Sequence, residues 1–301
     1  MTRLIECKYG DVHIAVAPEL GGALASLRWR GQAILRPLDP QGAQRANMCG
    51  SYPLIPWSNR IADGRLVFDG QPFQVTRNVP DNPHALHGIG WQQVWEVVSA
   101  SETQIDLALT CPASARWPWP WPWRASQRFA LTENGLIVTL TYHNLADHAV
   151  PAGLGFHPFF ADAACSEVTF HAAHVWLNDD NSLPDEEVAV PPAWDYTHFK
   201  TPHPGSVDNC FTGWSGEAIV RWPQRGIRAT LHSNTPNLVF FVPGDGRNVV
   251  AIEPVSHIND AINRFPTGSN DQAMDRIAPG GELSLSMTIR MSDDGTTPRT
   301  L

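Results

Sequence analysis

The sequence predicts an all-β protein built as one large β-sandwich, and three observations predict it. Apolar residues recur with period two in run after run, the pattern of strands that bury one face. The 26 prolines and 23 glycines punctuate these runs too densely for many long helices. No composition break or Ser/Gly linker divides the 301 residues, a length at which sandwiches still form one domain.

Taken in order, Val12, Ile14 and Val16 alternate in DVHIAVA, Leu24 and Leu27 flank a second run, and Ile105, Leu107 and Leu109 alternate in QIDLALT. Gln127 to Tyr142 predicts a hairpin, RFAL and LIVTLTY joined through Glu133-Asn134-Gly135, with Asn-Gly supplying the positive φ of a tight primed turn. The runs VTFHA, AIVRW, GIRATLH, NLVFFV, VVAIE and ELSLSMTIR continue the pattern to Arg290. A single sandwich domain is expected over 1–292, with 293–301 as a polar tail. The alternating tract from Trp117 to Trp123 cannot donate a full ladder of hydrogen bonds, which predicts an extended edge or loop segment. Its rings suit either a lid packed over the sandwich end or a wall for a sugar ring, with Trp121 as the candidate contact.

Composition excludes several function classes. With a net charge of −9 and only Lys8 and Lys200 as lysines, the chain lacks the clustered cations that nucleic acid requires. Its five cysteines are odd in number, far apart and free of CxxC spacing, which argues against a disulfide framework or zinc site and for a reducing cytoplasm. Glu6 and Asp11 interrupt the stretch where a signal peptide needs apolar residues, and no run of about 18 apolar residues predicts a membrane span. His171 and His174 fall on opposite faces of a strand, so no metal is expected. Motifs for nucleotide binding and serine hydrolysis are absent from the sequence.

Acid-base chemistry has better candidates. His87 in NPHALHGIGW and His157 in GLGFHPFF sit among apolar, Gly/Pro-punctuated residues that desolvate an imidazole, whose unperturbed pKa of about 6.5 suits proton transfer. Glu253 is expected to end the buried-looking strand VVAIE, where an unpaired carboxylate costs several kcal/mol and so demands partners. A substrate hydroxyl with a cationic group would make it a general base; an arginine alone would make it an inert structural pair. Asp208 in SVDNCF and Arg60 in PWSNRIADG are further polar residues between apolar flanks.

Together these segments resemble the aldose 1-epimerase (galactose mutarotase) family over nearly the whole chain. PLIPWSNRIADGRLVFDG is similar to its Asn-Arg motif, NPHALHGIGW to its Leu-His-Gly segment, and GFHPFF to its His-Pro-aromatic segment. DNCF and VVAIEPVSHINDAIN are similar to its Asp motif and its glutamate strand. The resemblance implies a large β-sandwich of the galactose mutarotase type. It implies that Glu253 takes the proton from the anomeric O1, that His157 protonates the ring oxygen, and that His87 hydrogen-bonds the sugar nearby. Arg60, Asn59 and Asp208 would bind the sugar, a small-molecule partner, and no cofactor would be needed. A hexose-6-phosphate or other acidic-sugar epimerase of the same fold is the nearest alternative, although no local Lys/Arg cluster marks a phosphate site. A carbohydrate-binding sandwich without chemistry is a second, and a structural or partner-binding sandwich a third. The Trp-Pro tract and the Pro254-Val255-Ser256-His257 sequence after the glutamate depart from the usual family pattern and leave the sugar open.

Overall fold

A computed structural model describes residues 2–113 and 119–295. Trp117 and Pro118 of the tryptophan tract and residues 296–301 of the expected tail lie outside the described residues. The chain forms a sandwich dominated by two antiparallel sheets, one of twelve strands and one of eight, sharing one cluster of buried apolar side chains.

The eight-stranded sheet is where period two reads most cleanly. Gln104–Cys111 buries Ile105, Leu107, Leu109 and Cys111 and turns its other face outward. Trp123–Thr132 and Gly135–Asn144 form the expected hairpin, but neither Asn134 nor Gly135 adopts positive φ. Gly135 is required there for space instead, since a Cβ would lie 2.6 Å from the carbonyl oxygen of Ile289 on the next strand. That next strand, Glu282–Asp293, runs past the expected domain limit, and Asp293 anchors its end by accepting a 2.7 Å bond from Arg30 Nη1.

The twelve-stranded sheet carries the polar residues of interest. At its centre lies Val249–Val255, buried at every position because strands flank it on both sides and layers cover both faces. This explains its continuous apolar run, in which alternation would have been wrong. Glu253 does not end the strand but lies inside it, opposite Val239 of Asn237–Phe241.

The described tryptophans of the tract pack rather than face an opening. Trp119, Trp121 and Trp123 are all buried. Trp119 lies 5.2 Å from Trp57, and Trp121 is held between Trp119, Phe68 and Phe73 at centroid distances of 5.2, 5.3 and 4.8 Å. Trp123 stacks on Tyr142 at 5.7 Å. No helix among the described residues is long and apolar enough to cross a membrane.

Candidate active site

Strand register brings the acid and base candidates together. Gly155 pairs with Val255 and Phe159 with Ala251, so one register holds on both sides of the short gap between them and sets His157 opposite Glu253. The ladder breaks between these pairs because Pro158 has no N–H to give and the His157 N–H turns instead to the Tyr52 carbonyl, at 3.1 Å. Directly opposed side chains share a face, and the two end in contact, His157 Nε2 lying 3.2 Å from Glu253 Oε1. Two strands further on, Asp208 opposes Phe241 and Phe241 opposes Ala251, which puts Asp208, Phe241, Glu253, His157 and Phe159 on one side of the sheet. All five line one cavity of about 200 Å³. Pockets for drug-sized ligands run to roughly 300–1,000 Å³; this one suits a single monosaccharide.

The opposite wall comes from loops and from the short paired strands Arg60–Ile61 and Ala85–Leu86, and histidines hold it in place. Along Ser58–Asp63, four backbone N–H groups donate to side chains: Ser58 to His257 Nε2 at 3.1 Å, Asn59 to His87 Nδ1 at 3.1 Å, Ala62 to Asp260 Oδ1 at 2.9 Å and Asp63 to His84 Nδ1 at 3.1 Å. In return the Asp260 N–H donates to the Arg60 carbonyl at 2.8 Å, and the His87 N–H to that of Asn59 at 2.8 Å. Asn59 and His87 take left-handed φ of 53° and 60°, and Gly88 follows at 67° with its α-carbon so near Ile55 that a Cβ would meet the Ile55 carbonyl. Arg60 is thereby aimed across the cavity, its Nη1 donating to Asn59 Oδ1 at 3.1 Å and its Nη2 reaching Asp208 Oδ2 at 3.5 Å.

These contacts decide the tautomers. A backbone N–H only donates, so the ring nitrogen it meets carries no proton. His87 therefore keeps its proton on Nε2, available to a ligand, while His257 keeps its own on Nδ1 and donates to the Ile258 carbonyl at 2.7 Å. Both stay neutral: burial, reinforced by the Arg60 charge, pulls His87 down to about 3, and burial pulls His257 down to about 4.

The His157–Glu253 pair is more deeply constrained. Burial pushes the Glu253 carboxyl well above its usual range, nearby Asp208 adds to this, and Arg60 opposes it. Burial, then His87 and Arg36, pushes His157 well below its own. Both directions describe one condition, a contact pair that holds a single proton and no net charge. His157 Nδ1 and Glu253 Oε2 are buried without a hydrogen-bond partner, a cost that a bound polar molecule would relieve.

Every predicted site residue except Trp121 lines this cavity: Asn59, Arg60, His87, His157, Asp208 and Glu253. Trp121 is a packing residue, held by three aromatic neighbours. Glu253 is paired with a histidine rather than with an arginine. Sequence reasoning missed Tyr52, stacked on His157 at 4.7 Å, and Arg247, which both line the cavity. Tyr52 stands eight residues before Arg60 in the same Pro-punctuated segment, a signal that could have found it, whereas Arg247 in the turn GDGRN carries none.

The fold and site define a β-sandwich with a buried imidazole-carboxylate pair in a sugar-sized cavity. The chain belongs to the aldose 1-epimerase family, whose model matches residues 4–290. It is 29% identical over 294 residues to the uncharacterized protein YphB of Escherichia coli K12, spanning 94% of this chain and 97% of that one. The crystal structure of a candidate aldose 1-epimerase from Escherichia coli K12 superposes with a TM-score of 0.87 at 27% identity, over 97% of this chain and 100% of its own. An aldose epimerase homologue from C. elegans shares the fold, with a TM-score of 0.80 at 18% identity over 97% of this chain and 99% of its own.

Proposed function

We propose that the protein is an aldose 1-epimerase that interconverts the α and β anomers of a monosaccharide by acid-base ring opening and closure. The observation that carries this reading is the 3.2 Å contact between His157 Nε2 and Glu253 Oε1 on the wall of a cavity of about 200 Å³, a size that suits a pyranose. In the reactive arrangement the shared proton resides on His157. Glu253 then takes the proton of the O1 hydroxyl, the O1 electrons form the C1 carbonyl, the C1–O5 bond breaks, and O5 receives the proton from His157. Rotation about C1–C2 presents the other face of the aldehyde, and the steps run backwards to the opposite anomer. The pair holds one proton before and after, so no external acid, base or cofactor enters the balance. His87 donates from Nε2 to the sugar, and Arg60, Asn59 and Asp208 hold hydroxyls. Five cysteines without a disulfide among the described residues support a reducing cytoplasm as the setting.

Anomer exchange measured by NMR on freshly dissolved aldoses tests the reading. Each member of an acid-base pair contributes roughly 10²–10⁴ in rate, so Glu253→Gln and His157→Asn should each lower kcat by about that factor with circular dichroism unchanged. Sugar binding without any acceleration of exchange by the wild type would replace this reading with a carbohydrate-binding one.

A further inference from the structure

Two arginines on the His157 side of the cavity play no part in that reaction. Arg247 lines the cavity with its guanidinium 6.0 Å from the Phe159 ring and 5.9 Å from that of Phe241. Asp245 engages only its Nε, at 2.9 Å to each oxygen, which leaves both Nη groups for a ligand. Arg36 lies against the same Phe159 ring, at 4.2 Å. Its Nη2 donates to the carbonyls of Asn47 and Cys49 at 2.6 and 2.9 Å, while Nε and Nη1 are buried without a partner. No carboxylate among the described residues stands at ion-pair distance from Arg36, and burial together with the Arg247 charge draws it down to about 10. Two cations share one aromatic ring, and among the described residues only Arg247 has a carboxylate partner. The unpaired Arg36 with its orphaned donors leaves this wall of the cavity with an excess positive charge that favours an anion.

Their position says where on a sugar that anion would be. Arg36 and Arg247 both act electrostatically on His157, whereas the charged neighbours of Glu253 are Asp208 and Arg60. If His157 delivers its proton to O5, the ring neighbour that O5 keeps once the C1–O5 bond has broken is C5, and the substituent on C5 is C6. We propose that Arg247, backed by Arg36, selects a hexose that carries an anionic group on C6: a carboxylate, a sulfonate or a phosphate. This rests on the role given to His157 above. A planar guanidinium binds any of the three through paired N–H donors, and a neutral CH₂OH would leave the Arg36 charge uncompensated.

The test compares glucose with glucuronate, glucose 6-phosphate and 6-deoxy-6-sulfoglucose, reading kcat/KM from NMR anomer exchange on the full chain. At least one anion should exceed glucose by tenfold or more, and the arm that does so identifies the group. Arg247→Gln should bring that ratio close to one, and Arg247→Lys should restore part of it. Ratios at or below one for all three anions, or a ratio that Arg247→Gln leaves unmoved, would overturn the proposal while leaving the epimerase intact. Should no sugar be turned over, the fault lies with the epimerase reading. Affinities for methyl glucoside and methyl glucuronide, which cannot open, then probe the subsite by ligand-observed NMR. Equal binding of the two overturns the subsite as well, and tighter binding of the glucuronide that Arg247→Gln abolishes upholds it.

Discussion

A histidine that accepts a backbone N–H must stay neutral to do so, and this gives the site loop a defined dependence on pH. His257 and His87 sit at about 4 and about 3 in the folded chain, below the 6.5 they return to on unfolding. Between these values the unfolded chain binds protons that the folded chain refuses, so stability present above pH 6.5 is lost as pH falls toward 4. Each such histidine contributes up to about 1.4 kcal/mol per pH unit. The His157–Glu253 pair adds no slope between 4.5 and 6.5, because one proton is bound in both states throughout that window. Urea midpoints measured from pH 7 to pH 5 should therefore fall, and His257→Gln should remove about half of the part due to this pair of histidines. An unchanged slope in the variant would show that His257 is not held neutral. The neutrality itself was legible only in part: the apolar surroundings of His87 and His157 announced desolvation, while His257, three residues beyond Pro254, carried no mark of its partner Ser58, which is 199 residues away.

At the scale of the element, the Pro-alternating tract shows how a pattern can be read correctly as irregular and still be misassigned in purpose. Its described rings, Trp119, Trp121 and Trp123, turn into the core, where Trp121 fills the space between Phe68, Phe73 and Trp119. Trp121→Ala should lower stability by about 3–5 kcal/mol, the usual cost of emptying a buried aromatic site, and leave KM for the sugar unchanged. A raised KM at unchanged stability would return the residue to the site. The strands themselves were largely legible, because alternation in Gln104–Cys111 follows directly from one buried face. Glu253 was legible as an oddity within apolar Val249–Val255, but its partner was not: the pairing with His157 depends on a register set by Gly155 and Phe159 around Pro158. No local pattern encodes a register between segments about a hundred residues apart. Arg247 escaped notice for the related reason that an arginine in a glycine turn is ordinary until the fold places it beside a cavity.

For the molecule as a whole, both large sheets contribute to one apolar cluster, and we expect them to melt as a unit. Far-UV circular dichroism, which reports the strands, and tryptophan fluorescence, which reports buried rings such as Trp57, Trp119 and Trp222, should give the same denaturation midpoint. Two separated midpoints would instead mark two domains.

The register that seats His157 against Glu253 also bears on the order in which the protein matures during synthesis. Arg60, His87, His157, Asp208 and Glu253 come from widely separated stretches, and the strand carrying Glu253 is drawn between Phe159–Ala161 and Asn237–Phe241. Its insertion must wait until much of the chain has been made, and such non-local strand pairing is slow. A nascent or refolding chain thus completes the lining of its cavity only when this central strand slides into place.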